Sequence, residues 1–312
     1  MDMIRERCIN LEQEEENSVD EGMVGYKGKM AGNLRQYQPD KPSSKWGFKL
    51  FIRSGTDGIT YDFIPYSGKD TFDRENLSDE EKAMGVGAMA VISLCKSMTS
   101  PEKSTVTFDN FYTGIPLVTY LKKKMNILSC GTIRKDRMDG CTFTADKELA
   151  KKGRGVCESK VNKDGICIVR WMDNKAVTLV SNFVGVEPKA EVQRYDKGSR
   201  CRIPISYPRI IKKYNSTTVG VDLGDMFFAL YKLPSRARRW YFPLFCYLIG
   251  LSLTNSWLLY KRDCEALGVA QEIRCSKDFR LHVIGSLAAG SQVARGRPSL
   301  NSYKSKGQVS HC

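Results

Sequence analysis

Three aspartates stand in sequence contexts that suit a strand end or the start of a helix. Asp20 lies in the segment NSVDE, Asp109 in TFDNFY and Asp222 in GVDLGD, separated by 89 and then 113 positions. Carboxylates this distant in a chain form one site only if the fold brings them together. Their oxygens are the ligands that Mg²⁺ prefers, and a pair of such ions holds the attacking and the leaving oxygen of a phosphodiester. The three segments therefore predict metal-dependent phosphoryl transfer.

The charge of the chain indicates which substrate such a centre would act on. The 312 residues include 49 Lys and Arg against 35 Asp and Glu, which gives a net charge of +14. Basic side chains displace the counterions around a phosphate backbone, so this excess favours a nucleic acid as the partner. The alternative is a basic protein without a polyanionic partner. With 41% hydrophobic residues the chain can form a sizeable core, which excludes global disorder.

Cysteine and histidine usage narrows the kinds of site that the chain can build. The eleven cysteines are scattered, and no pair has the two-to-four-residue spacing of a zinc knuckle. His282 and His311 are the only histidines, which argues against a histidine-rich metal site and against Ser-His or Cys-His hydrolysis. The first residues, MDMIRE, lack the apolar region of a secretory signal, so we expect a reduced, intracellular chain.

The elements that must position the aspartates follow from the hydrophobic pattern. We expect a first strand that carries Asp20, then strands at residues 45–53 and 59–65 joined by the turn SGTDG. The pattern continues with a helix, a strand, a helix and a strand at residues 79–98, 104–108, 115–124 and 127–133. The order β-β-β-α-β-α-β predicts a mixed sheet with Asp20 on its first strand and Asp109 at the end of its fourth. Strand ends of this kind are where active sites form.

Local signals divide the chain into five segments. Ser78 and Glu81 have the spacing of a capping box at the start of the first long helix. Short strands at 167–171 and 176–181 indicate a β-rich region, helical character returns near Val219, and the end of the chain is rich in Gly, Ser, Arg and Lys. We predict a loose acidic lead-in, the first part of an α/β core, a β-rich insertion, a helical part and a disordered basic tail, at residues 1–16, 17–134, 135–214, 215–289 and 290–312.

One segment permits a different interpretation. Residues 240–260 carry no charge and are flanked by basic residues, so length alone would allow a transmembrane helix. Pro243, Gly250 and Asn255 weaken that interpretation on an insertion scale. The large apolar residues, including Phe245 and Leu248, suit a helix buried inside a protein instead. We favour the buried helix and expect no membrane partner.

Taken together, the motifs resemble the piggyBac-type DDE transposases and their domesticated relatives. The resemblance covers residues 17–263 and rests on several motifs in order. They are VDE followed by GYKG, KPSSKWG, DNFYTGIPL, GTIRK, WMDNKAV, the YN and VDLGD segments, RARRWY and the NS pair at 255–256. The resemblance implies a ribonuclease-H-like fold interrupted by a β-rich insertion. It further implies a nuclear DNA transposase that acts as a homodimer on double-stranded transposon ends and TTAA target sites.

The resemblance also assigns roles to particular residues. It implies that Asp20, Asp109 and Asp222 are catalytic and, with Asp225 as an accessory residue, hold two Mg²⁺ or Mn²⁺ ions. It implies DNA contacts for five basic residues, Arg134, Lys135, Arg236, Arg238 and Arg239; the alternative is that they form a solvated face. The alternatives for the carboxylates are a helix N-cap at Asp109 and a solvent-facing helical position at Asp225. We interpret Trp46 and Trp171 as core aromatics; the alternative is that they are platforms on which bases stack.

Departures from the family pattern keep two functions open. The family has a long region before its first catalytic aspartate and a C-terminal Cys/His-rich zinc module, whereas 19 residues precede Asp20 here and the chain ends at His311-Cys312. Val219 stands where the family has a glycine. We expect a transposase-like enzyme with strand hydrolysis and strand transfer, or, as the alternative, a domesticated or truncated DNA-binding protein without catalysis.

Overall fold

The fold is described from a computed structural model that covers residues 1–39, 45–196, 198, 200–233 and 239–290. Within these residues nine strands form one mixed sheet, and two more form a separate ribbon. The strands of the sheet are β1 Glu16–Gly25, β2 Gln36–Tyr37, β3 Trp46–Gly55, β4 Thr60–Pro65, β5 Thr105–Phe108, β6 Leu128–Thr132, β7 Cys157–Val161, β8 Cys167–Met172 and β9 Ala176–Ser181. The ribbon consists of β10 Ala190–Asp196 and β11 Cys201–Tyr207.

The order of the strands places the segment of the first aspartate at the centre of the sheet. The order is β2-β3-β1-β5-β6-β9-β8-β7. β4 lies off this path and pairs with β3. β1 runs parallel to β5, and β5 runs parallel to β6, whereas β3 is antiparallel to β1. The mixed α/β architecture predicted from the sequence is confirmed, and it is consistent with a ribonuclease-H-like transposase fold.

Helices pack on both faces of the sheet. The helices of the described residues are α1 Asp2–Ile9, α2 Asp79–Ala83, α3 Val86–Cys95, α4 Ile115–Lys124, α5 Asp146–Lys151, α6 Arg209–Thr217, α7 Gly220–Leu230, α8 Phe242–Ala266 and α9 Ser276–Gly290. The capping box is confirmed, since Ser78 and Glu81 exchange side chain-to-backbone hydrogen bonds at the start of α2. The single helix predicted at 79–98 is two helices, because Gly85 adopts a φ of +88° and ends the first one.

Each face of the sheet has its own apolar core. On one face Val19, Phe51 and Phe108 pack against α3 and α4. On the other face Val24, Phe48, Leu50 and Ile52 pack against residues of α7 and α8, among them Val221, Tyr247 and Leu251. Because side chains alternate along a strand, neighbouring residues of β1 contact different helices. This alternation decides which helix each functional side chain faces.

The lead-in is more ordered than the sequence predicts. Residues 2–9 form α1, and the guanidinium of Arg5 lies between two carboxylates, 2.6 Å from Asp62 and 2.7 Å from Glu75. Asp62 is fully buried on β4, so Arg5 neutralises a charge that would otherwise be costly inside the protein. Arg5 therefore ties α1 to β4, in addition to the apolar contacts that Ile4 and Cys8 of α1 make with the core.

The β-rich region is partly continuous with the central sheet. β9 pairs with β6, and β7 and β8 extend the sheet beyond β9. Only the β10–β11 ribbon pairs separately within the described residues. Trp171 on β8 is buried, as predicted, and its indole N–H donates to the carbonyl of Ser206 on the ribbon. The basic tail predicted at 290–312 lies outside the described residues, apart from its first position.

Contact density divides the chain into two units, Met1–Leu259 and Tyr260–Cys312. In the second, Tyr260 stacks on Phe279 of α9 at 5.3 Å between ring centroids. α8, which begins in the first unit, is long and apolar enough to cross a membrane by length and composition. However, 44% of its most apolar 18-residue stretch is buried inside the protein. Tyr247, Leu248 and Leu251 belong to the core against the sheet, which favours the buried helix.

Candidate active site beside two paired parallel strands

Two of the three aspartates lie side by side where the pairing of β1 with β5 ends, Asp20 inside β1 and Asp109 directly after β5. Glu16 of β1 lies opposite Thr105 of β5, and the parallel register continues to the pair Val19 and Phe108. Asp20 is the next residue of β1, which continues to Gly25, and Asp109 is the first residue after β5. Both side chains are partly exposed, while the strand residues before them are buried. The fold therefore holds two carboxylates together at one edge of a rigid, buried ladder.

Asp109 also organises the loop that follows it. Its Oδ1 accepts a hydrogen bond of 2.8 Å from the backbone N–H of Phe111, and its carbonyl accepts one of 2.6 Å from the hydroxyl of Thr113. The helix N-cap of α4 is Gly114, so the N-cap alternative for Asp109 is wrong. Burial raises the pKa of Asp109, the N–H of Phe111 lowers it, Glu21 raises it and Arg134 lowers it.

Asp20 is the more strongly perturbed carboxylate. Burial raises its pKa to about 8, and the neighbouring charges of Glu21 and then Asp109 add to the shift, while a hydrogen bond from the backbone N–H of Glu21 opposes it. That N–H donates to Asp20 Oδ1 at 2.7 Å. Like charges held together in a partly dry setting favour a proton or a cation between them. Perturbed carboxylates of this kind are typical of functional sites.

Behind the pair lies a charged cluster that the sequence reasoning missed. Lys49 on β3 is mostly buried and forms a 2.9 Å ion pair with Glu21, and its Nζ lies 4.3 Å from the centre of the Phe111 ring. The hydroxyl of Tyr112 is buried without a hydrogen bond of good geometry, and its pKa is raised well above its usual value by burial, then by Glu21, Asp20 and Asp109. A lysine inside the apolar strand GFKLFI was the available signal, because a buried cation needs a partner.

The third aspartate is placed by close packing of α7 on the sheet. Val219 is the N-cap residue of α7 without a side-chain cap, so helix entry is intact despite the departure from the family pattern. A Cβ atom at Gly220 would lie 2.2 Å from the carbonyl oxygen of Gly55 and 2.7 Å from Ser18 Oγ. Asp222 is in the first turn and exposed. The start of α7 therefore touches β1 two residues before Asp20.

Asp222 does not join the other two carboxylates as a ligand set. Within the described residues, which include all four candidate aspartates, no group of three or more His, Cys, Asp or Glu is placed to hold a metal ion. Asp225 is partly buried, and its charge helps to raise the pKa of Tyr247 on α8, a shift that comes mainly from burial. Asp225 is thus neither fully exposed nor buried, and its accessory role stays a prediction.

Basic side chains flank the loop after Asp109. Arg134 and Lys135 are exposed, and Arg134 Nε donates to Asn110 Oδ1 at 3.0 Å. Arg137, which the sequence reasoning did not select, donates to the carbonyls of Phe111 and Thr113 and so fixes the loop. Arg239 is exposed and hydrogen-bonds Tyr241 Oη at 3.0 Å, whereas Arg236 and Arg238 lie outside the described residues.

Comparison with known proteins gives a family for this arrangement. Residues 2–257 match the family described as Transposase IS4. The chain is 32% identical over 261 residues to the PiggyBac transposable element-derived protein 3 of Homo sapiens, an alignment that covers 83% of this chain and 42% of that protein. It is 28% identical over 255 residues to the PiggyBac transposable element-derived protein 2 of Homo sapiens, with 81% and 41% covered. The chain thus spans about two-fifths of the length of these relatives.

Proposed function

This chain belongs to the IS4-type transposase family and is a transposase-like protein or a domesticated derivative of one, and on that premise we propose that it carries a metal-dependent centre for cutting and joining DNA. The proposed catalytic residues are Asp20, Asp109 and Asp222. The proposed reactions are hydrolysis of a phosphodiester and strand transfer at TTAA sites. The parallel register of β1 and β5, which puts Asp20 level with Asp109, is the observation that carries the proposal.

The carboxylate pair has the chemistry that a hard divalent cation needs. Mg²⁺ is commonly held by one or two carboxylates together with water and substrate phosphate oxygens, and Asp20 and Asp109 supply two such groups from adjacent strands. The raised pKa values of both carboxylates mean that their charged forms are disfavoured, and a bound cation would stabilise those charged forms. In the proposal Asp222, which lies outside the pair in this structure, would join it only when metal and DNA are bound, and Asp225 would be accessory. Bound Mg²⁺ or Mn²⁺ would supply Lewis-acid stabilisation of the oxygens at the reacting phosphorus.

The chain's own side chains divide the remaining work. Arg137 and Asp109 fix the loop that follows β5, so the carboxylate of Asp109 has one preferred orientation. Lys49 balances the charge of Glu21 behind the pair, which keeps a third negative charge from repelling the substrate. Exposed Arg134 and Lys135 lie where a phosphate backbone that reaches Asp109 would pass, and Arg239 would extend that contact.

The proposal extends to the setting of the reaction. The substrate would be double-stranded DNA at transposon ends, the assembly would be a homodimer, and the place of action would be the nucleus. The alternative function is DNA binding without catalysis. The exposed position of Asp222, outside any three-ligand group of the described residues, is the observation that favours this alternative.

A direct test separates the two functions. Labelled linear duplex that ends in a family-type terminal repeat and TTAA is incubated with the protein and Mg²⁺ or Mn²⁺, and strand cleavage is followed on a denaturing gel. Metal-dependent nicking that Asp20→Asn abolishes supports the catalytic function. Duplex binding with no nicking under either metal supports the non-catalytic alternative and overturns the catalytic one.

A further inference from the structure

We propose that the surface formed by Arg35, Tyr37 and Trp46, here named the Trp46 platform, binds unpaired nucleotides of a DNA strand by stacking on their bases. The sequence interpretation of Trp46 as a core aromatic is wrong, because 41% of its surface is exposed. Tyr37 beside it is 51% exposed. The inference rests on the proposed function only in taking DNA as the ligand, and it assigns a binding site outside the carboxylate centre.

The platform is a built arrangement. Tyr37 of β2 lies directly opposite Trp46 of β3, and their ring centroids are 4.8 Å apart. The guanidinium of Arg35 lies over the indole of Trp46 at 4.1 Å from the ring centre. That guanidinium is in turn held by the carbonyls of Lys27 and Gly28, at 3.1 and 2.9 Å. Three flat groups are therefore held together at the surface before any ligand arrives.

The surrounding charge selects the occupant. Lys27, Lys29 and Lys45 are exposed on the segments that carry the platform, and the described residues 25–39 and 45–48 contain no acidic side chain, while Asp40 lies outside the described residues. Exposed aromatic rings beside cations suit a ligand that has flat faces and a negative backbone. Bases in a duplex are already stacked on one another and do not offer their faces, so the ligand that fits is a strand with unpaired bases.

The position of the platform relates it to the carboxylate pair. On β3, Trp46, Phe48, Leu50 and Ile52 share one face, and Ile52 lies opposite Asp20 of β1. Trp46 is six residues from Ile52 along the strand, which is about 20 Å at the usual rise of a β-strand. A strand of a few unpaired nucleotides spans such a distance. The platform and the carboxylate pair are thus two separate places on one sheet, and the β3 residues between them are buried.

Fluorescence of the whole chain in EDTA tests the proposal without any cleavage. Trp46 is the one exposed tryptophan of the four, since Trp171 is buried and Trp240 and Trp257 are partly buried. We expect a mixed-sequence single-stranded 20-mer to quench this emission. We also expect it to bind more tightly than electrostatic contacts with its phosphates alone would allow. Trp46→Ala and Tyr37→Ala, followed with a 5′-labelled 20-mer by anisotropy, should each weaken binding about tenfold, the usual effect of losing one stacked base.

Matched controls identify the cause of any loss. Trp46→Phe keeps a stacking ring and should retain most of the affinity, while Tyr195→Ala, which removes a tyrosine that is 59% exposed on the ribbon, should change nothing. Binding of the duplex of the same sequence should be the same for Trp46→Ala and wild type. A circular dichroism melt establishes that each variant is folded, and Trp46→Phe together with Tyr37→Ala decides the result if Trp46→Ala does not fold.

Three outcomes would overturn the inference. The first is unchanged single-strand affinity in Trp46→Ala and Tyr37→Ala. The second is equal loss of single-strand and duplex binding, which would make the surface a general cationic one. The third is a variant whose molecular mass in sedimentation differs from that of wild type while its single-strand affinity is unchanged. That result would show that the surface is a contact between protein chains. If wild type binds and cuts duplex but these variants behave as wild type, this inference fails while the proposed function stands; if wild type binds no DNA, both fail.

Discussion

Asp20 and Asp109 stand at the same level of a parallel ladder, each one residue beyond the paired Val19 and Phe108. The two side chains come from positions 89 apart in the sequence, and the ladder fixes their separation through backbone hydrogen bonds. The pKa of each is raised, mainly by burial, and Asp109 adds to the shift of Asp20. Two charged carboxylates held this close lower the stability of the folded protein. Such pairs are typical of sites that bind a cation.

The first prediction concerns that cost. The pKa of Asp20 in the folded protein, about 8, exceeds its unfolded value of about 3.9, so the folded protein binds more protons between these limits. Stability should therefore fall as pH rises from about 4 to about 8. In EDTA, Asp20→Asn should flatten this slope and raise Tm at pH 8 by about 2–4 °C, and Mg²⁺ should stabilise wild type but not the variant. Calorimetric scans across pH measure both.

The control for this experiment is Asp164→Asn. Asp164 is an aspartate beside Lys123 whose pKa is lowered by that lysine, so its contribution has the opposite sign. This variant should keep both the slope at pH 4–8 and the stabilisation by Mg²⁺. A Tm of Asp20→Asn that follows wild type at every pH would contradict the prediction.

The second prediction concerns the ion pair behind the carboxylates. Lys49→Met removes the partner of Glu21 and leaves a mostly buried carboxylate beside Asp20. We expect a loss of about 3 kcal/mol in the free energy of unfolding, since breaking one side of a buried pair leaves an uncompensated charge. Glu21→Gln in the Lys49→Met background should recover part of that loss. Urea melts of the four proteins in the cycle give the coupling energy, and additive effects would show that the pair is not coupled.

The third prediction concerns the contact that places α7. Gly220→Ala puts a methyl group 2.2 Å from the carbonyl oxygen of Gly55, where backbone must shift. We expect a loss of about 1–3 kcal/mol in the free energy of unfolding. We also expect a lower rate of cleavage, because Asp222 follows two residues later. Gly285→Ala in α9 meets nothing within 4 Å and should be neutral or stabilising by about 0.5–1 kcal/mol. Equal effects of the two changes on cleavage would contradict a positioning role for Gly220.

The fourth prediction concerns duplex binding. Arg134 and Lys135 are exposed next to the Asp109 loop. If each contacts a phosphate, Arg134→Ala and Lys135→Ala should each lower the slope of log affinity against log salt by about 1 and weaken binding to all sequences alike. Lys163→Ala, an exposed lysine on the β7–β8 turn, serves as the control. Anisotropy titrations at several salt concentrations measure the slopes, and identical slopes for all four proteins would remove the two residues from the interface.

The sequence predicted the elements whose signals are local. The hairpin turn at residues 54–58, the capping box at Ser78 and the strand that runs into Asp109 all depend on neighbouring residues, and they are found where expected. Family motifs then identified the aspartates. The break at Gly85 was missed because a glycine inside an apolar helical pattern does not reveal the sign of its φ.

Features that depend on distant pairing could not be read in this way. The pairing of β9 with β6 joins the β-rich region to the central sheet, and no local pattern specifies it. Lys49 interrupts an apolar strand and so indicates a buried cation, but only the pairing of β1 with β3 shows that Glu21 is its partner. The same applies to Arg5, whose partners Asp62 and Glu75 are 57 and 70 positions away. Long-range ion pairs and sheet order therefore set the limit of the sequence analysis.

The most direct test of the central claim is cleavage of the labelled terminal-repeat duplex in Mg²⁺ or Mn²⁺ by wild type, Asp109→Asn, Asp222→Asn and the control Asp164→Asn. Asparagine keeps the shape of the side chain and removes the charge that would hold the metal. We predict metal-dependent cleavage by wild type and by Asp164→Asn, and a loss of at least about a hundredfold in the other two. Cleavage that survives in Asp109→Asn, or that is absent in wild type while the duplex is bound, would contradict the claim that these carboxylates form a working centre.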